Sequence, residues 1–121
     1  MTIEQRNFLD KIIDNIVVEG GYSEAELQVR AIEHYKSLWK DTAFMLESVR
    51  KASNEQLEQW MVNYVRHELT GYDGALLEIS RTVPAGYQLL KNAVLCKIAE
   101  AYPFLRNECE KQKDNAYTRR W

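Results

Sequence analysis

Histidine, cysteine and proline each occur only twice in this 121-residue chain, and glycine five times. Each scarcity excludes a class of protein. Two cysteines, Cys96 and Cys109, are too few for the disulfide framework of a small secreted scaffold. The two histidines, His34 and His67, belong to no His-Glu-x-x-His or Glu-x-x-His pattern and there is no Cys-x-x-Cys, so a metal site fails on ligand count. A site assembled from His34, His67 and a carboxylate is the one minor alternative. The glycines form no phosphate-binding loop and no Gly-x-Ser-x-Gly elbow, so no cofactor and no catalytic residue is assigned. Cys96 lies in the apolar run "AVLCKIA" and is expected to be a buried small hydrophobe. Cys109 is flanked by Glu108 and Glu110, whose charges dull a thiol.

Long apolar runs are also missing. No stretch approaches the roughly 20 apolar residues of a transmembrane helix. The opening segment "MTIEQRNFLDKIIDNIVVEGG" lacks the basic start and unbroken apolar core of a secretory leader. The expectation is a cytoplasmic protein with reduced thiols and no membrane contact. A dominant charge is absent too: the net charge is −2, unlike the clustered positive charge on which sequence-independent DNA binding relies. The distribution is uneven, however. Residues 1–79 carry 14 acidic and 8 basic side chains, and residues 80–121 carry 4 and 8.

What the chain does have is enough apolar material for one core, 45% of residues, and a series of helix starts. In a capping box, Ser or Thr and a Glu or Gln three residues later satisfy each other's backbone N–H groups. Thr2–Gln5, Ser23–Glu26 and Ser53–Gln56 fit it, and Thr70–Asp73 is a relaxed version. An apolar pattern of helical period follows each. The first helix is expected over about 3–19, with Phe8, Leu9, Ile12, Ile13 and Ile16 on one face and Gly20–Gly21 as its stop. Ile32, Tyr35, Trp39, Thr42, Leu46 and Val49 step by three and four, which predicts one long helix over about 24–52, roughly 43 Å at about 1.5 Å per residue. A third helix carries Leu57, Trp60, Met61, Tyr64, Val65 and Leu69 to Thr70–Gly71, and a short fourth runs to about Thr82. A fifth covers about 85–102, and Pro103 either ends it or opens a sixth as its first residue. No segment alternates at period two. The prediction is an all-α single-domain bundle of five or six helices with one long central helix, its last residues, 113–121, forming a polar tail.

The stretch "YVRHELTGYDGALLE", residues 64–78, gathers His67, Thr70, Tyr72 and Asp73. Those types in that space suit either a catalytic cluster or a helix–helix corner, and each has a structural task at a corner. Thr70 caps, Asp73 and His67 complement helix dipoles, and Tyr72 packs its ring inward. The corner is the preferred reading. An enzyme using His67 with Asp73 or Glu68 requires a pocket around that imidazole.

Interaction surface remains. Trp39 and Trp60 fall on apolar stripes and are expected in the core. Phe44 falls off the stripe and is expected on an open face. Phe44, Tyr22, Tyr117 and Trp121 are candidate contact anchors, with Arg119 and Arg120 beside the last two, because aromatics and arginine dominate binding hot spots. The reading is a small non-enzymatic regulator or inhibitor that binds a protein partner, self-associating through the long helix. Its genre would be a phage or mobile-element accessory protein that acts on a host factor. The alternative is nucleic-acid binding by the basic, aromatic carboxy-terminal region, where cation and ring together grip a single strand.

Overall fold

In the computed structural model, residues 1–113 are described. They form seven α-helices and no strand: α1 (Ile3–Asn15), α2 (Glu24–Ser37), α3 (Thr42–Arg50), α4 (Asn54–Glu68), α5 (Tyr72–Thr82), α6 (Tyr87–Ala101) and α7 (Arg106–Gln112). Single 3₁₀ turns, Pro84–Gly86 and Pro103–Leu105, lead into α6 and α7. Each proline sits at the start of its turn, where its missing N–H would find no partner anyway. Among the described residues no helix is long and apolar enough to cross a membrane.

The three full capping boxes form as expected. The side chains of Thr2, Ser23 and Ser53 accept from the N–H groups of Gln5, Glu26 and Gln56, and each third residue reaches back to the cap N–H. The core is built around α4 and α6, whose Met61, Val62, Val65, Leu90, Val94, Leu95 and Ile98 are almost wholly buried. Leu9 from α1, Leu27 and Ala31 from α2, Ile79 from α5 and Leu105 close it. Helices α2 and α4 lie side by side in the same direction. Glu24 and Gln28 stand beside Asn54, Leu57 and Glu58 at one end, and Tyr35 stacks on Trp60 towards the other. Helix α3 carries the chain back between them.

The long helix over 24–52 does not form. Helix α2 ends at Ser37, and Asp41 takes an extended backbone with φ −84° and ψ 99°. Its carboxylate accepts from the Phe44 N–H at 3.0 Å, so Asp41 starts a new helix. The apolar rhythm runs through the break because both pieces bury one face. Self-association through a continuous second helix therefore loses its structural basis.

Two other boundaries move. Helix α1 stops at Asn15, four residues before its expected end at Glu19. The Lys97 ammonium of α6 donates to the carbonyls of Ile13 and Ile16, the latter at 2.7 Å, and so caps the helix end from a distant element. The strap that follows is fixed by Glu19 N–H to the Leu69 carbonyl at 2.8 Å and Tyr102 Oη to the Glu19 carbonyl at 2.6 Å. At the α4–α5 corner, Thr70 Oγ1 accepts from the Tyr72 N–H at 3.0 Å and donates to the Arg66 carbonyl, so it does not cap Asp73. Gly71 makes the corner with φ 73°, a conformation that costs glycine little.

Candidate functional site

The carboxy-terminal end of α2, the carboxy-terminal half of α4 and the first turn of α5 enclose a cleft of about 320 Å³. Its aromatic wall is Tyr35 on Trp60, with ring centroids 4.0 Å apart and planes 15° from parallel. Leu38, more than half exposed, forms the lip. The polar wall is His34, Asn63, His67, Glu68 and Asp73. A broader, shallower groove of about 620 Å³ continues from it across α3, sharing Tyr35, Trp60 and Asn63 and adding Trp39 and Phe44. Trp39 is 41% exposed and Phe44 53%, and their rings lie 5.2 Å apart. Trp39 also leans on Tyr35 at 5.7 Å. Phe44, Trp39, Tyr35 and Trp60 thus form one aromatic track leading into the cleft.

Two histidine–carboxylate pairs make up most of the polar wall. His34 Nδ1 is 3.7 Å from Glu68 Oε1, linking α2 to α4, and its ring meets the Tyr64 ring edge-on. His67 Nδ1 is 2.6 Å from Asp73 Oδ1, linking α4 to α5 across the Gly71 corner. The other imidazole nitrogen, Nε2, lies 3.5 Å from Arg66 Nη2. A guanidinium only donates, so Nε2 accepts and the His67 proton resides on Nδ1, donated to Asp73. The Nε2 lone pair, which a general base would turn on a substrate, faces Arg66 instead.

Arg66 is the hidden member of the site. It is fully buried beneath the cleft, over the Tyr72 ring at 5.5 Å, and its Nη1 donates to Gln112 Oε1 at 3.4 Å. Gln112 in turn donates to Glu108 Oε2 at 2.9 Å, tying α4 to α7. Burial pulls the Arg66 guanidinium below its ordinary value and pushes the Tyr72 phenol above its own. Tyr72 packs inward as expected, but its hydroxyl meets the Tyr87 side chain rather than backbone. Asn63 carries another feature: its Oδ1 is buried and has no hydrogen-bond partner among the described residues.

Among the described residues no three His, Cys, Asp or Glu side chains converge closely enough to hold a metal ion. His34 with Glu68 and His67 with Asp73 are two separate pairs.

Of the anchors expected from sequence, Phe44 is exposed and belongs to the groove. Tyr117, Arg119, Arg120 and Trp121 lie outside the described residues. Tyr22 is half-buried, with the Arg30 guanidinium over its ring at 4.4 Å. Trp39, expected in the core, is on the surface, because the break after α2 carries it off the buried face. Cys96, also expected to be buried, is exposed, since α6 buries the stripe through Leu90, Val94, Leu95 and Ile98 and residue 96 falls outside it. Of the cleft residues, Asn63 carried no signal in the sequence, Tyr35 was legible as part of the apolar stripe, and Glu68 as an alternative partner of His67. His67 and Asp73 were legible as neighbours, and their pairing across a corner was not.

A scan against protein-family models, a search of curated proteins and a search of solved structures each returned no match.

Proposed function

We propose that this chain is a small, non-enzymatic binding protein of the cytoplasm, a regulator or inhibitor that seats a segment of a protein partner in the groove formed by α2, α3 and α4. The observation that carries this reading is the aromatic track. Trp39 and Phe44 stand exposed side by side, and the track continues into the half-buried Tyr35–Trp60 stack. Large aromatics that a monomer leaves open beside a concavity are the usual anchors of a binding surface. The tautomer of His67 supports binding over catalysis, because its basic nitrogen is engaged by Arg66. The genre remains that of a phage or mobile-element accessory protein acting on a host factor.

Nucleic-acid binding by the carboxy-terminal region is the weaker reading. Of its basic residues within α7 and just after it, Lys111 stands 3.7 Å from Glu55 and Lys113 2.8 Å from Glu110, so two of these charges already face carboxylates.

Affinity capture from the native cell tests the proposal. Trp39→Ala and Phe44→Ala should each reduce capture of the partner by roughly 30-fold, as expected for a hot-spot aromatic worth about 2 kcal/mol. The helical circular-dichroism signal should not change. Undiminished capture by both variants would overturn the groove reading. Retention on a single-stranded oligonucleotide that is lost on neutralising Arg119 and Arg120 would favour the rival.

A further inference from the structure

We propose that the cleft receives the guanidinium of an arginine side chain presented by the partner; this rests on the groove reading and names its anchor. Three observations converge on that occupant. First, the mouth of the cleft is acidic: Glu68 and Asp73 place carboxylates there, with side chains 51% and 60% exposed. All the residues that line it fall within residues 1–79, where acidic side chains outnumber basic ones by 14 to 8. Second, Asn63 lines the cleft and holds a buried Oδ1 with no hydrogen-bond partner among the described residues. A buried acceptor left unmet costs about 1–3 kcal/mol, and an incoming N–H donor recovers it. Third, the opposite wall is the Tyr35–Trp60 stack with Leu38 at the lip, an aromatic face for a flat cation and an aliphatic edge for its stem.

The set discriminates among ligands. Carboxylates repel phosphate and carboxylate groups. A lysine ammonium is a point charge that satisfies the acids, but it neither stacks well nor forks between an amide oxygen and a carboxylate. The volume, about 320 Å³, sits at the small end of the roughly 300–1,000 Å³ range of ligand pockets and suits one side chain better than a cofactor. The resident cation nearby, Arg66, lies below the floor, 3.5 Å from His67 Nε2 and fully buried. His67 accepts from it and donates to Asp73, so the imidazole holds the Asp73 carboxylate in place across the Gly71 corner.

The test uses the full chain, ¹⁵N-labelled, titrated with N-acetylarginine amide, its neutral isostere N-acetylcitrulline amide, and N-acetyllysine amide. The arginine probe should shift the Trp60 indole and Asn63 side-chain amide resonances saturably, with affinity on the order of millimolar for one side chain. Citrulline and lysine should bind about tenfold more weakly. Glu68→Gln should weaken the arginine probe by about fivefold. Equal binding of citrulline, equal binding of lysine, or shifts that bypass Trp60 and Asn63 would each overturn the assignment. If the probe fails while Trp39→Ala and Phe44→Ala still impair partner capture, the groove stands and the arginine falls. If the probe binds and capture ignores both variants, the cleft holds a guanidinium but the partner assignment falls.

Discussion

Replacing Arg66 separates what its stem contributes from what its charge costs. The side chain is fully buried, with the guanidinium against Gln112, His67 and the Tyr72 ring. Truncation in Arg66→Ala removes two buried methylenes and the guanidinium. At about 0.8 kcal/mol per methylene the lost stem is worth roughly 1.6 kcal/mol. Gln112 Oε1 and His67 Nε2 then lose a donor, at about 1–3 kcal/mol for a buried acceptor left unmet, and the cavity adds to this. Against these stands relief from burying a cation, a cost of several kcal/mol offset in the native state by its hydrogen bonds. The balance is a destabilisation of about 3 kcal/mol, or roughly 12 °C in Tm at about 4 °C per kcal/mol for a domain of this size. Arg66→Met fills most of the same space with no charge; it keeps the stem packing and avoids the cavity but still strips the donor from Gln112 and His67, so its destabilisation should be about 1–2 kcal/mol, smaller than that of Ala. Urea unfolding followed by tryptophan fluorescence measures both. If Ala and Met are equally damaging, the stem contributes nothing and the charge network holds α4 to α7. If Ala is harmless, the burial cost cancels everything the side chain contributes. Either result refutes the reasoning.

His67 should populate the Nδ1–H tautomer at neutral pH, seen in long-range ¹⁵N–¹H spectra of the ring. Asp73→Asn and Arg66→Met should each shift the balance towards Nε2–H, because each removes one of the two groups that fix it. At pH 8, Ellman's reagent should titrate one thiol rapidly, the exposed Cys96, and leave Cys109 unreacted until the chain unfolds. Burial, reinforced by Glu108, pushes the Cys109 thiol up to about 12. An acid whose folded value is raised contributes stability that is intact below its unfolded value, near 8.5, and is lost as pH rises towards the folded one. Stability should therefore decline between about pH 9 and 12, by at most about 1.4 kcal/mol per pH unit for this group, and Cys109→Ala should flatten the decline.

The all-α architecture and the three capping boxes were legible because their causes are local. Ser23 finds its partner three residues away at Glu26, and nothing distant is needed. The end of α1 was not legible, because Lys97 and Tyr102, more than 80 residues along, bind the carbonyls that decide it. The break at Asp41 was ambiguous for a different reason. Periodicity tells which residues share a face if a helix continues, and is silent on whether it does. Of the cleft, Phe44 was found by its misfit to the apolar stripe. Tyr35 and Trp60 looked like core because they are partly core, each with the remainder of its surface turned to the cleft.

The site exists because two helices were interrupted. At about 100° per residue, Trp39 and Phe44 on one continuous helix would point about 140° apart. The extended residue Asp41 instead folds the chain so that their rings lie 5.2 Å from each other. His67 and Asp73, six residues apart, would point about 120° away from one another on a continuous helix. Gly71 in its left-handed conformation brings them to 2.6 Å. The aromatic track and the acidic mouth each depend on such a break, and the parallel pairing of α2 with α4 brings the two together, with His34 beside Glu68 at the seam. A side chain entering the cleft therefore meets groups from three helices whose relative placement is set by the connections between them. That is why residues with ordinary roles in helix capping and packing also form a surface with one charge preference and one aromatic face.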